Sequence, residues 1–196
     1  MTIGFAPAQN DATGPMGRSL EPEDWTVVGA PLLRDPRALV KELHSRHLPS
    51  ASTAVVAVLD REHRLAASAS FTQRKDNTDG WEHRNALLWH LRRIVPHDLR
   101  LRAPVRTGVL LLCRDGDPEW TGSDGAWMWG LRDACTLHGL RCGSYITLTA
   151  DGWHVLGDGR RGRSPHSGSW AREAADGAAL RPVAGAPEAL RRTAAR

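Results

Sequence analysis

Two short, unbroken apolar runs dominate the pattern of the chain. Residues 52–59 (STAVVAVL) and 105–113 (VRTGVLLLC) contain stretches of aliphatic, β-branched side chains with no alternating polar positions. That pattern belongs to strands buried on both faces. After the first run, Asp60-Arg61-Glu62-His63 is a polar turn, and 64–72 (RLAASASFT) reads as a second strand, so the two form a hairpin. The spacing then changes to a helical period. In 81–95, Leu87, Leu88, Leu91, Ile94 and Val95 share one face, and Pro96 ends the helix. In 123–138, Trp127, Met128, Leu131, Ala134, Cys135 and Leu137 form a broad apolar stripe, and Gly139 suits a left-handed C-cap. Residues 142–149 are a strand, Ala150-Asp151-Gly152 a turn and 153–156 a closing strand. Upstream, Asp35 caps a helix that Pro36 opens, with Leu39, Val40 and Leu43 on its apolar face and Pro49 beyond its end. The order α, β, β, α, β, α, β, β predicts the α/β class: a single α/β sandwich with helices on a mixed central sheet.

The folded domain is expected over 22–156. Residues 1–21 are rich in Gly, Pro, Asn and Ser, show no period, and are expected to be disordered. Residues 157–196 read as a basic Arg/Ala/Gly-rich tail with a short helix near 187–195. The formal charge of +4 belongs to that tail. Arg160, Arg161, Arg163, Arg172, Arg181, Arg191, Arg192 and Arg196 outnumber Asp158, Glu173, Asp176 and Glu188 there, while the body is balanced. Such a tail is either a solvated end or a loose holder of phosphates, which keeps nucleic acid open as a partner. Hydrophobic residues at 41% and charged residues at 24% are those of an ordinary globular chain. No run is apolar enough to cross a bilayer, and 1–18 lacks the basic start and apolar core of a secretory signal. The expectation is a cytoplasmic protein that does not engage a membrane. Cys113, Cys135 and Cys142 match neither a disulfide framework nor a zinc-finger spacing, and are expected to be buried core thiols.

Several residues sit on this order of elements in a pattern that resembles the RadC-type JAB/MPN domain, a metalloprotease fold with the cytidine-deaminase order of elements. Gly116-Asp117-Pro118, Thr121, Asp124, Leu131, Ala134, Leu137 and Gly139 follow the family pattern without a gap. Tyr145-Ile146-Thr147-Leu148, Asp151-Gly152 and Trp153-His154-Val155-Leu156 resemble its apolar strand, glycine turn and aromatic strand. Residues 55–71 resemble its opening hairpin, and Arg84 stands where its helix has an arginine. The resemblance spans roughly 52–156, with an insertion around 96–104.

That family's chemistry uses zinc held by two histidines on a strand end and an aspartate on the next helix, with a glutamate base and a serine at the oxyanion. Position by position, the resemblance puts the histidines on Leu111 and Cys113, the aspartate on Asp124 and the serine on Thr121. The glutamate falls near 68–70, where there is no carboxylate. Two possible ligands and no base imply a degenerate site without catalytic residues and without a cofactor. Thr121-Gly-Ser-Asp124 also reads as a helix capping box, a purely structural role. A rewired zinc hydrolase, isopeptidase-like, would need a histidine such as His83 or His138 to join Cys113 and Asp124.

The helix at Trp81-Glu82-His83-Arg84-Asn85 is also similar to the His-x-Glu helix of zinc deaminases, but Asn85 replaces the glutamate and no Pro-Cys-x-x-Cys pair follows. Eight tryptophans are a further signal. Trp127 and Trp129 flank Met128, so both rings cannot face one core. Trp120 lies in the loop where the family's cleft would open. Trp120, Trp127 and Trp129 are therefore the interface candidates. The resulting expectation is a non-catalytic JAB/MPN-like binding or scaffold module. Its partner would be another protein or a second copy. The alternatives are the rewired hydrolase and a nucleic-acid-binding accessory protein.

Overall fold

The computed structural model of the chain describes residues 18–27, 32–72 and 79–172. Six strands form one mixed sheet in the order β2-β1-β3-β4-β5-β6. They are β1 (Thr53–Leu59), β2 (Leu65–Thr72), β3 (Thr107–Cys113), β4 (Arg141–Thr149), β5 (Gly152–Leu156) and β6 (Arg161–Gly162). Only β3 and β4 pair in parallel; the other neighbours are antiparallel. The parallel pair follows from the helix between them, because a crossover is needed to return the chain in the same direction. The α/β class and the mixed sheet expected from the pattern are present.

The two faces of the sheet are covered differently. Helices α3 (Gly80–Ile94) and α4 (Gly122–His138) lie together on one face, and α2 (Pro36–His47) contributes to the core on the other. Period-two alternation sorts the strand residues between them. Ala54, Val56, Val58, Leu110, Leu112 and Tyr145 pack under α3 and α4. Val55, Ala57, Val109, Leu111, Cys113, Ile146 and Leu148 pack with Leu39, Val40 and Leu43 of α2. The apolar stretches within the two sequence runs are thus buried on both faces. Helices α3 and α4 approach closely because Gly130 faces α3: a Cβ there would stand 2.9 Å from the Arg84 amide nitrogen and 3.1 Å from His83 Cβ.

The helix ends follow the capping chemistry. Asp35 accepts from the Ala38 amide, Asp79 accepts from the Trp81 amide, and Gly139 adopts φ 76° at the end of α4. Thr121 and Asp124 form the reciprocal capping box at the start of α4. Residues 96–104 are tied to the body by Arg106, whose Nε donates to Asp98 Oδ2 at 2.7 Å. That hydrogen bond holds the Asp98 carboxyl below its ordinary pKa.

The boundaries expected at 21 and 156 are corrected. Leu20 is buried, and its amide donates to the Gly125 carbonyl at 3.0 Å. A short helix α1 (Pro22–Val27), not expected from the pattern, follows and buries Trp25. At the other end the fold continues past Leu156. β6 pairs with β5, Trp153 Nε1 donates to the Ser164 carbonyl, and Trp170 Nε1 donates to the Pro49 carbonyl. Ser169 Oγ lies 2.9 Å from His44 Nε2 in the interior. Arg160 reaches back to the Leu33 carbonyl at 2.6 Å. The start of the presumed tail therefore completes the core, because Trp153 and His44 would otherwise lack cover. Of the disordered segment expected over 1–21, residues 1–17 lie outside the described residues, as does the helix expected near 187–195.

Candidate functional site

The positions singled out by the family resemblance lie where β3 runs into α4. Strand alternation separates them. Leu111 and Cys113 point to the α2 side of the sheet, both with no exposure. Asp124 stands on the opposite side, in contact with Tyr145. The pair that was to share a metal is thus divided by the sheet. Burial in that apolar setting pushes the Cys113 thiol up to about 12, so it does not offer a thiolate.

Asp124 is fully buried and fully engaged. Its Oδ1 accepts from Tyr145 OH at 2.7 Å and from Arg114 Nε at 3.2 Å. Its Oδ2 accepts from Arg114 Nη2 at 2.9 Å, from the Thr121 amide at 2.8 Å and from Thr121 Oγ1 at 2.7 Å. Burial, with the Asp124 carboxylate beside it, raises the Tyr145 phenol well above its ordinary pKa, so it stays a donor. No lone pair of the carboxylate is left for a cation, and the Arg114 charge beside it repels one. Arg114 also donates to the carbonyls of Asp117 at 2.5 Å and Glu119 at 2.6 Å. The loop 115–119 is closed further by Thr147 Oγ1, which donates to the Pro118 carbonyl at 3.0 Å. Thr121, placed at the expected oxyanion position, is thus a cap within a structural network.

Neither histidine named for a rewired site reaches Asp124 and Cys113 together. His138 ends α4, fourteen residues after Asp124, which at 1.5 Å per residue is roughly 21 Å along the helix. Its Nε2 faces the Val95 carbonyl at 3.1 Å. His83 is buried and stacked on Trp127, with ring centroids 3.8 Å apart and an interplanar angle of 9°. Burial lowers its pKa to about 4, against a smaller opposing effect of Asp79. Among the described residues, no three His, Cys, Asp or Glu side chains converge to hold a metal. The residues do not fit the zinc that the resembled family's chemistry uses.

The interface candidates are redistributed. Trp127 is 1% exposed and belongs to the core, a correction to its expected role. Trp120 is half-buried against the same core, and the nitrogens Trp120 Nε1, Trp127 Nε1 and His83 Nε2 are buried with no hydrogen-bond partner among the described residues. Trp129 is half-buried beside Trp81, with centroids 6.0 Å apart. The accessible aromatic surface is on α3 instead. Trp81 is 37% and Trp89 54% exposed. Arginines lie on both: Arg18 at 3.9 Å and Arg84 at 3.5 Å from the Trp81 ring, and Arg93 at 4.4 Å from Trp89. The sequence signal for this surface was the spacing of Trp81 and Trp89, eight residues apart and so about 80° apart around a helix.

A second surface lies at the far end of the sheet. Arg37, Arg161 and Arg163 line a cleft with Gly162 and Ser164, floored by Trp153. Arg161 has a long contact of 3.7 Å to Glu119, both side chains being well exposed.

No helix among the described residues is long and apolar enough to cross a membrane. No protein-family model, no curated protein and no solved structure matches the chain.

Proposed function

We propose that the chain is a non-catalytic α/β module of JAB/MPN-like architecture that works by binding protein. The observation that supports this most is Asp124. A carboxylate in a working metal site must present free lone pairs to the ion; this one spends them on Tyr145, Arg114 and Thr121. The remaining positions, Leu111 and Cys113, lie across the sheet from it. What the fold presents outward is aromatic and basic: Trp81 and Trp89 on α3, each with an arginine over its ring. Tryptophan and arginine are the residues that most often dominate protein interfaces.

Elemental analysis for zinc on the purified chain, beside a Cys113→Ala variant, tests the non-catalytic reading. No stoichiometric zinc in either supports it. A stoichiometric zinc that the variant loses overturns it.

A second reading has its own observation, the arginine-lined cleft around Trp153. A single-stranded oligonucleotide would lay its phosphates along Arg37, Arg161 and Arg163. Binding would then weaken steeply with salt, and Arg37→Ala with Arg163→Ala would flatten that dependence. Binding unchanged by the two substitutions would remove this reading.

A further inference from the structure

The two edges of the sheet differ in a way that points to a partner. β6 is a two-residue strand, with Arg161 in it and Arg163 and Pro165 directly after it. Shortness, charge and proline are the usual means by which a sheet edge is kept from pairing. β2, at the other edge, has none of them. It is eight residues long, Leu-Ala-Ala-Ser-Ala-Ser-Phe-Thr, with no charge and no proline. Among the described residues it pairs only with β1, in unbroken register from Thr53↔Thr72 to Val58↔Ala67, with an irregularity only at its beginning. Among the described residues, its far side is therefore a row of backbone donors and acceptors without strand partners.

Helices contact the strand from both faces of the sheet, so the edge is not simply unfolded surface. On one face Ser68 Oγ meets His47 Nε2 of α2 at 2.8 Å. On the other, Phe71 stacks on His90 of α3 at 4.3 Å, and His90 in turn meets the edge of Trp89 at 4.6 Å. The most exposed tryptophan of α3 is thus joined by this aromatic row to the open strand.

We propose that β2 pairs antiparallel with β2 of a second copy of this chain, making one continuous sheet across a two-fold axis and bringing the α3 helices of the two copies side by side over it. A second copy fits for reasons of charge and symmetry. An uncharged strand meets no like charge in its own image, whereas a highly charged foreign strand would find no counter-charge on it. Antiparallel pairing of identical strands is self-complementary, so one surface serves both partners. The helix-side neighbours of the edge, Phe71, His90 and Trp89, then add aromatic contact to the backbone hydrogen bonds. This inference names the partner of the binding module and rests on that reading.

Sedimentation equilibrium of the full chain tests it, beside an Ala66→Lys, Ser70→Lys double variant and a Trp89→Ala variant. Ala66 and Ser70 are exposed in the single chain, so lysines there leave the monomer fold intact, which circular dichroism checks. The expected mass for the native chain is twice 21.5 kDa. The double lysine variant is expected at the single-chain mass, because lysines meet across the pair, and Trp89→Ala weakens the association. Hydrogen exchange on the native chain gives a reading that needs no variant: the amides of 66–72 that face away from β1 lose protection as the protein is diluted through the dissociation range. A native chain that stays at the single mass up to its solubility limit overturns the proposal. So does a dimer that neither variant weakens and whose outward-facing β2 amides exchange freely. Either failure concerns the edge alone; the non-catalytic reading stands or falls separately on the zinc analysis.

Discussion

Tyr145 donates its hydroxyl to Asp124 Oδ1 at 2.7 Å, tying the middle of β4 to the first turn of α4 across the buried interior. Arg114, leaving the end of β3, neutralises the same carboxylate. Three elements that are adjacent only in the folded sheet thus meet at one acid group. Removing one member of such a buried pair leaves the other uncompensated, which costs about 3–5 kcal/mol. Arg114→Ala is therefore expected to destabilise the chain by about that amount. Tyr145→Phe, which loses one hydrogen bond to a charged group, should cost about 1.5–3 kcal/mol. Urea unfolding of both variants measures this. A change below about 0.5 kcal/mol for Arg114→Ala would show that Asp124 is not the anchor described.

The buried His83 predicts a pH dependence. Its pKa in the folded chain is lowered to about 4 from 6.5, because burial disfavours the charged imidazolium. Between those values the unfolded chain binds the proton more readily, so stability falls as pH drops from about 6.5 to about 4. The contribution is fully present above the upper value and is not lost further below the lower one. His47, His90 and His138, also lowered first by burial, act in the same direction. His83→Phe should make the melting temperature less sensitive to pH over this window. An unchanged slope in that variant would assign the effect to other groups.

Thiol reactivity should divide the cysteines by burial. Cys113 and Cys135 are buried and their thiols are raised by their surroundings, whereas Cys142 is half-buried. Iodoacetamide at pH 8 is expected to label Cys142 first in the native chain and all three after unfolding, read by mass spectrometry. Rapid labelling of Cys113 would contradict its placement under α2.

Gly125 carries the passage of the N-terminal segment over α4. A Cβ there would run into Ser19 Oγ and stand 2.6 Å from the Leu20 carbonyl oxygen. Gly125→Ala is expected to lift residues 18–20 away and cost about 1–3 kcal/mol. Trp25 should then become more accessible, which fluorescence quenching detects. Retained stability and quenching would show that this segment is not seated as described.

Ending the chain after Leu156 should lower its melting temperature by several degrees, since about 1 kcal/mol corresponds to 2–4 °C for a chain of this size. That truncation removes β6, Ser169 and Trp170 together with their contacts to Trp153, His44 and Pro49. A full-stability truncation would mean that these contacts contribute nothing.

Periodicity and the cap and turn residues placed eight of the elements within a few residues, from the buried runs at β1 and β3 to the apolar stripes of α3 and α4. The capping box at Thr121 and Asp124 was legible too, because the residue types and their spacing define it locally. β6 was not, since a two-residue strand has no period and exists only through β5. Nor was the cover that residues 157–172 give the core, because an arginine-rich composition resembles a solvated tail until its hydrogen bonds are seen.

The sequence by itself determined the order and type of the main elements, because each depends on side-chain spacing within one segment. Only the tertiary structure decided which candidates could meet. Cys113 and Asp124 are eleven residues apart, yet alternation on β3 sends one beneath α2 while α4 holds the other above Tyr145. Trp127 and Trp89 look alike in sequence, but helix packing buries the first and leaves the second beside an open strand edge. Such outcomes depend on pairing between distant segments, and it is this pairing that turns a possible metal site into a structural anchor.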